Sequence, residues 1–387
     1  MRVIETTLSR IPVKEFAAGT YISQGSYKSF QPAPLNRSWT VDNTEVQQLL
    51  SQADRKLGRL DMYAEYVPNL DLFIRMHVVR EATQSSRIEG TRTRIEEALL
   101  DREEVPPKER DDWEEVQNYI AAMHHAVDAL NRLPFSTRLI REAHRVLMPG
   151  VRGQNKQPGE FRTSQNWIGG ASLRDAHFVP PVHTSIGNLM SDLEKFVHST
   201  EHVMPALLKT ALVHYQFETI HPFLDGNGRV GRLLIPLHLV DQGILKRPVL
   251  YLSDFFERNR SHYYDNLMRV READDLAQWF KFFLVGVIET ADHGIETFDA
   301  ILKLQEKVDE MVEPLGSRAE NARRVIRAVY ARPIIDAHRV ADVTGLSMSS
   351  AYRLIADMEE IGLLTKILGD KRGRKYTFKR YLDLFRS

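Results

Sequence analysis

Around residue 221 the chain has to stop one helix and start another within a few residues, and that joint constrains the rest of the fold. The segment "ALLKTALVHYQFETI" puts Leu207, Ala211, Phe217 and Ile220 on one face at helical spacing, with Val213 or His214 beside them, so it reads as a helix. Pro222 disfavours α-geometry at the residue before it, which ends the helix with the His221 imidazole projecting from its C-terminus. Gly226, Asn227 and Gly228 make a small loop, and a second helix is expected from near Val230. Gly226-x-Gly228-x-x-Gly231 formally matches a dinucleotide-binding fingerprint, but that motif needs a strand before it, and here a helix precedes. No G-x-x-x-x-G-K-[ST] occurs, so a P-loop is excluded.

The same spacing recurs along most of the chain. "VQQLLSQADRKLGRLDMY", "LDLFIRMHVVREATQSS", "WEEVQNYIAAMHHAVDALNRL" and "STRLIREAHRVLM" read as helices, as does most of the sequence from Ile186 to about Val312. "IEGT" interrupts the second of them. Residues 1–45, rich in Ser, Thr, Pro and Gln, read as an extended, poorly regular lead-in. Residues 151–181 are full of Gly, Pro, Asn and Ser, and the β-capable runs Phe161–Ile168 and His177–Val179 predict a β-hairpin. The expected fold is mainly α with one small hairpin.

Composition narrows the class. The 387 residues include no cysteine, which excludes disulfides and thiolate metal sites and fits a reducing, cytoplasmic setting. The start "MRVIETTLSRIPVKEF" lacks the apolar core of a signal peptide, and "WFKFFLVGVI" is too short to span a bilayer, so a soluble protein with no membrane partner is expected. Basic and acidic residues balance at 52 each, yet Arg318–Ser387 holds 15 basic against 8 acidic ones. That asymmetry predicts a C-terminal module with its own partner.

The groups in the joint suggest a chemistry. A glycine-rich turn at a helix N-terminus forms an anion nest. Arg229 and Arg232, three apart, can fork onto phosphate oxygens. Asp225 offers a hard oxygen ligand for Mg²⁺, and His221 can accept a proton near neutral pH. The run "HPFLDGNGRVGR" resembles the signature of the Fic family, H-P-F-x-D/E-G-N-G/K-R-x-x-R, at every defining position. The resemblance implies a helical enzyme that transfers AMP from ATP to a Ser, Thr or Tyr hydroxyl of a target protein, and to itself. It implies His221 as the base, Asp225 as the metal ligand and Gly226, Asn227 and Gly228 as the anion hole. Arg229 and Arg232 would hold the β- and γ-phosphates, with Gly231 between them in the motif. "QNWIGG…AHFVPP" resembles the family's flap over the active site, with Ile168, Gly169 and Gly170 nearest the nucleotide. "SHYYDNLM" resembles the adenine-side segment, with Tyr263 and Tyr264 as contacts, although Arg271 stands where the family often has Asn.

Two further segments bear on regulation. Ser85-x-x-x-Glu89-Gly90 matches the [S/T]-x-x-x-E-[G/N] pattern of Fic proteins with an inhibitory helix, and its two polar residues share a helical face. Glu89 would then occupy the Arg232 guanidinium and misalign ATP. After "EPLGSRAE", three helices and a basic hairpin ("GDKRGR") resemble a winged helix. Its third helix, N-capped by Ser347, would present Ser349, Ser350, Tyr352 and Arg353 to DNA, and the wing would offer Lys371, Arg372, Arg374 and Lys375 to phosphates. Winged helices also serve as protein docking or dimerisation modules, and the sequence leaves that alternative open. The expected divisions are 1–110 (lead-in and inhibitory motif), 111–312 (Fic core) and 313–387 (winged helix). The competing expectation is a nucleotide-sensing, DNA-binding regulator with little turnover; a homodimer, another transferred group and removal of AMP all stay open.

Overall fold

Helical spacing accounts for most of the architecture in the computed structural model, which describes residues 11–66, 70–150, 156–200, 204–368 and 374–386. Four short strands come first: β1 (Ile11–Pro12), β2 (Gly19–Ser23), β3 (Lys28–Pro32) and β4 (Trp39–Thr40). Then follow α1 (Thr44–Tyr66), α2 (Leu70–Ile88), α3 (Ile95–Ala98), α4 (Arg110–Leu130) and α5 (Thr137–Leu147). The helical centre continues with α6 (Ile186–His198), α7 (Ala206–Ile220), α8 (Asn227–Asp241), α9 (Ser253–Arg258), α10 (Arg260–Ala273) and α11 (Leu276–Val312). The C-terminal unit holds α12 (Ala319–Ala331), β5 (Ile334–Asp336), α13 (Ala337–Thr344), α14 (Met348–Glu360), β6 (Thr365–Leu368), β7 (Lys375–Thr377) and α15 (Lys379–Leu382).

The hairpin-forming joint lies at the centre. Every residue of α7 from Leu207 to Ile220 is buried, so the helix has no solvent face, and several of its polar groups bond to neighbouring elements. The Lys209 ammonium donates to the Val197 carbonyl (2.6 Å), Gln216 Nε2 to the Ala33 carbonyl (2.9 Å), and Trp279 Nε1 to the Ala211 carbonyl (2.9 Å). The apolar face expected from the sequence is present but covers only part of what is buried.

The lead-in is more regular than expected. β2 and β3 form an antiparallel hairpin with Tyr21 opposite Phe30, and β1 pairs in parallel with β4. Backbone amides anchor this region to the bundle, Ala18 to the Asp274 carboxylate (2.7 Å) and Leu35 to Asp192 (2.6 Å).

The segment at 151–181 expected as the one small hairpin is not a ladder where it is described. Ile168 and Phe178 make one isolated bridge, and Gly169 and Gly170 turn the chain between them with φ of 69° and 70°. Side chains hold the rest: Arg162 Nη2 donates to the Pro181 carbonyl (2.6 Å), Gln165 to Pro180 (3.0 Å) and Asn166 to Phe223 (2.9 Å).

A 3₁₀ stretch, Glu313–Arg318, kinked at Gly316, leads from α11 into the C-terminal unit. There a three-stranded antiparallel sheet in the order β5–β7–β6 backs α12, α13 and α14, and the Ser347 hydroxyl caps α14 by accepting from the Ser350 amide. This unit grips α2 and the segment after it. Phe73 packs edge-on against Tyr330 (5.6 Å) and Tyr381 (6.1 Å), and His77 packs against Phe385 (5.1 Å). Lys375, expected on an exposed wing, is 9% exposed and bonded to Asp101 (2.9 Å) and Glu104 (2.6 Å). Its charge is neutralised within the chain and is not offered to a phosphate. Lys371 and Arg372 lie outside the described residues. Among those residues no helix is long and apolar enough to cross a membrane.

Phe73→Ala should destabilise the fold by about 3–5 kcal/mol, because it empties a fully buried ring site shared by α2 and the C-terminal unit. Equilibrium denaturation of the full chain checks this; a loss below about 1 kcal/mol would show that the joint carries little stability.

Candidate active site

The site is made where the C-terminal end of α2 meets the N-terminal end of α8. Helix α2 stops at Ile88 because Gly90 takes φ of 106°, which favours glycine, and the Glu89 amide turns back to the Ser86 carbonyl (3.0 Å). The Ser85 carbonyl is thereby left for another donor. Arg232, in the second turn of α8 and 2% exposed, supplies it: Nη2 donates to Ser85 O (2.9 Å) and to Glu89 Oε1 (2.6 Å), and Nε donates to Ser85 Oγ (2.8 Å). Ser85 and Glu89 thus meet on one guanidinium, with Glu89 just past the helix rather than in it. Burial would raise the Glu89 carboxyl, but Arg232 outweighs it and holds the group below the usual carboxylate range.

The glutamate also lies over the start of α8. A Cβ at Gly228 would collide with Glu89 Oε1, so the carboxylate covers the backbone of the helix's first turn, where an anion would bind. Helix α8 begins at Asn227, earlier than the sequence suggested, because Gly226 enters with φ of 75° and Asn227 clasps Phe223. The Asn227 amide accepts from Phe223 N (2.8 Å) and donates to Phe223 O (2.9 Å). Arg229 is also engaged, with Glu115 (3.1 Å). Gly231 is required by Glu218, whose carboxylate occupies the space a Cβ would need.

His221 caps α7 in the left-handed region (φ 50°, ψ 60°), one of three non-glycine residues with positive φ among those described. Arg162 fixes that strained turn by donating from Nε to the His221 carbonyl (3.0 Å), and its own amide bonds to the Pro222 carbonyl (2.9 Å). The imidazole Nδ1 is buried without a partner among the described residues. Burial first, then the charges of Arg162 and Arg271, hold its pKa down to about 3, so the ring is neutral.

Two other histidines contrast with it. His144 stacks on Phe223 (3.7 Å, 5°); Gly159 N donates to its Nδ1 (2.8 Å), which leaves Nε2–H to donate to the Asp225 carbonyl (3.0 Å). His214 bonds the Gly231 carbonyl (2.9 Å) and the Tyr263 hydroxyl (2.9 Å). Both position backbone. Tyr263, expected as a nucleotide contact, is 1% exposed and its hydroxyl is spent on His214, so it is a core residue. Tyr264 beside it is 38% exposed and stays a candidate contact. Residues the sequence did not single out also belong here: Glu115, His144, Arg162, Asn166 and Glu218. Glu218 is buried, its Oε1 lacks a partner among the described residues, and burial pushes its pKa up to about 7 against the pull of Arg232.

An open cleft of about 210 Å³ runs beside the glutamate, lined by Glu89, Glu114, Glu115, Met148, Asp225 and Arg229. Asp225 faces it with 46% of its side chain exposed, while its Oδ1 accepts from the Gly226 amide (2.6 Å).

Residues 47–128 match the Fic/DOC family N-terminal region, and residues 134–239 match the Fic/DOC family. Over those residues the chain carries a Fic/DOC N-terminal region and a Fic/DOC domain. Among curated Fic relatives, "Protein adenylyltransferase Fic" of Aedes aegypti is 30% identical over 254 residues, covering 64% of this chain and 48% of its own length. The Drosophila virilis protein of the same name is 32% identical over 302 residues, covering 76% of this chain and 57% of its own. The chain thus spans about half the length of the curated relatives it matches. A Fic family protein from Desulfovibrio desulfuricans G20 shares the fold with a TM-score of 0.56 at 21% identity, over 88% of this chain and 97% of that one.

Because its pKa lies far below the ordinary 6.5, the His221 ring should keep neutral-imidazole nitrogen shifts in NMR from about pH 8 to about pH 5. An inflection near pH 6.5 assigned to His221 would contradict the buried setting described here.

Proposed function

We propose that the protein is an adenylyltransferase that moves AMP from ATP to a Ser, Thr or Tyr hydroxyl of a target protein and of itself, and that Glu89 holds it inactive. One observation carries this reading: the Glu89 carboxylate sits on Arg232 and over Gly228, where a phosphate group of the nucleotide would otherwise be held. The curated relatives named as protein adenylyltransferases support the reaction class.

In the reaction, the acceptor oxygen attacks the α-phosphorus, the bond from that phosphorus to the α–β bridging oxygen breaks, and pyrophosphate departs. The acceptor's proton passes to the neutral His221 ring. The backbone N–H groups at Asn227 and Gly228 and the positive end of α8 stabilise the charge on the phosphates, while the Gly226 N–H, given to Asp225 Oδ1, holds that carboxylate at the turn. Arg229 and Arg232 take the β- and γ-phosphates once their carboxylate partners give way. Asp225 fits a Mg²⁺ ion, since that ion takes one or two protein carboxylates and completes its shell with phosphate oxygens and water. No cluster of three or more metal-binding side chains occurs among the described residues, so the substrate would have to supply the remaining ligands. Bound there, the ion neutralises charge on the phosphates.

Inhibition follows from competition for one guanidinium. Arg232 is buried, so an anion must always neutralise it, and the intramolecular carboxylate is already in place. ATP bound without that contact has a misplaced α-phosphate, and small misplacements cost large rate factors.

The order helix, strand, helix, helix, strand, strand in the C-terminal unit supports a winged-helix reading, with Ser349, Tyr352 and Arg353 exposed on α14. The closed Glu89–Arg232 pair also favours a second reading, a DNA-binding regulator that senses nucleotide with little turnover. Mass spectrometry of the Glu89→Gly protein incubated with ATP and Mg²⁺ separates the two, since only under the first does releasing Arg232 leave AMP on the chain. Glu89→Gly should raise AMP transfer in a radiolabelled-ATP assay about tenfold or more, and His221→Ala should abolish it. Equal activity of the wild type and Glu89→Gly would remove the inhibitory role.

A further inference from the structure

The flap that carries Ile168, Gly169 and Gly170 is the last member of a composite layer. Its bridge residue Phe178 lies beside β3: the Phe30 amide donates to the Val179 carbonyl (2.9 Å), and the two phenyl rings are 5.9 Å apart. On the far side of β3, Tyr21 of β2 packs edge-on against Phe30 (5.1 Å). The order across the layer is therefore β2, β3, Phe178–Val179, Ile168. An aromatic row, Tyr21–Phe30–Phe178, runs through it.

Arg271 fixes this row to the helix that carries His221. It is 7% exposed, its guanidinium carbon lies 3.9 Å from the centre of the Phe178 ring, and its Nε donates to Thr219 Oγ1 (3.1 Å), two residues before His221. A buried guanidinium flat on an aromatic face is held in one orientation. With one backbone bridge of its own, the flap joins its two arms through side-chain ties from Arg162 and Gln165 near its base; nearer the tip its outer strand is held by the hairpin on one side and Arg271 beneath.

We propose that the β2–β3 hairpin, acting through Phe30, and Arg271 are positioning elements that set the flap against His221 for a protein acceptor, rather than contacts of the nucleotide. The role in acceptor choice rests on the transfer reaction proposed above; the mechanical claim does not. A protein hydroxyl must be delivered along the flap, whereas water can reach the α-phosphorus without it. In both cases oxygen bonds to phosphorus, pyrophosphate leaves and the proton goes to His221. The products differ only in being AMP–protein or free AMP.

The test uses the full chain carrying Glu89→Gly, alone and with Arg271→Met or Phe30→Ala. Hydrogen exchange reads the flap directly, because the Ile168 and Phe178 amides close the bridge (2.8 and 3.1 Å). Faster exchange at 161–180 with α7 and α8 unchanged is expected in both added variants; an unchanged flap overturns the proposal. With α-labelled ATP, the ratio of protein-bound to free AMP should fall about tenfold. A parallel fall of both products would mean general damage to the site and would overturn the role in acceptor choice. If the Glu89→Gly parent makes neither product, the transfer reading itself fails, and exchange alone decides whether the flap is held in this way.

Discussion

One buried guanidinium organises this molecule. Arg232 answers three acceptors at the end of α2 and in the turn after it, and they are available because α2 ends where it does: stopping at Ile88 frees the Ser85 carbonyl and swings Glu89 across the gap. The negative end of one helix and its glutamate thus face the positive end of another. The contact joins residues more than 140 positions apart and leaves the first turn of α8 covered. Removing one partner of such a pair leaves a charge in a poorly solvating place, which is why the arrangement persists until another anion replaces the carboxylate.

Much of this was legible in the sequence because the decisive signals are local. Pro222 forces His221 out of helical geometry, and three glycines mark where backbone, carboxylates and a sulfur crowd together. Ser85 and Glu89 were readable as a pair from their four-residue spacing, although the structure puts Glu89 in the turn that follows. What the sequence did not yield depends on distant partners. Arg162 pins the His221 turn from 59 positions away, and no periodicity marks such a residue. The flap reads as strands but spends its bonding groups on side-chain ties. The β2–β3 hairpin was within reach: "TYISQGSYKSF" places β-forming residues on both sides of a turn around Gly25, and the surrounding Ser and Pro content obscured it.

The histidines show why residue type alone misleads. His144, His214 and His221 are all held neutral by burial. Both ring nitrogens of His144 and His214 are engaged, with backbone or the Tyr263 hydroxyl, and these rings act as rigid struts. His221 differs in its strained backbone and its unpartnered Nδ1, neither of which is visible in a string of letters. Tyr263 shows the reverse case, a residue that fits a motif and proves to be a strut's partner.

The seat of α2 has a consequence for how the protein is made. Its early half rests on Tyr330, Tyr381 and Phe385, while its last turn bears the glutamate. During synthesis, residues 70–241 leave the ribosome well before those three rings exist. The α7–α8 helix pair can therefore assemble first, with α2 still lacking its final support. Seating that helix closes a loop of some 250 residues or more between Phe73 and Tyr330, so the α2 turn that holds Arg232 gains its final support only after residues 330–385 have emerged.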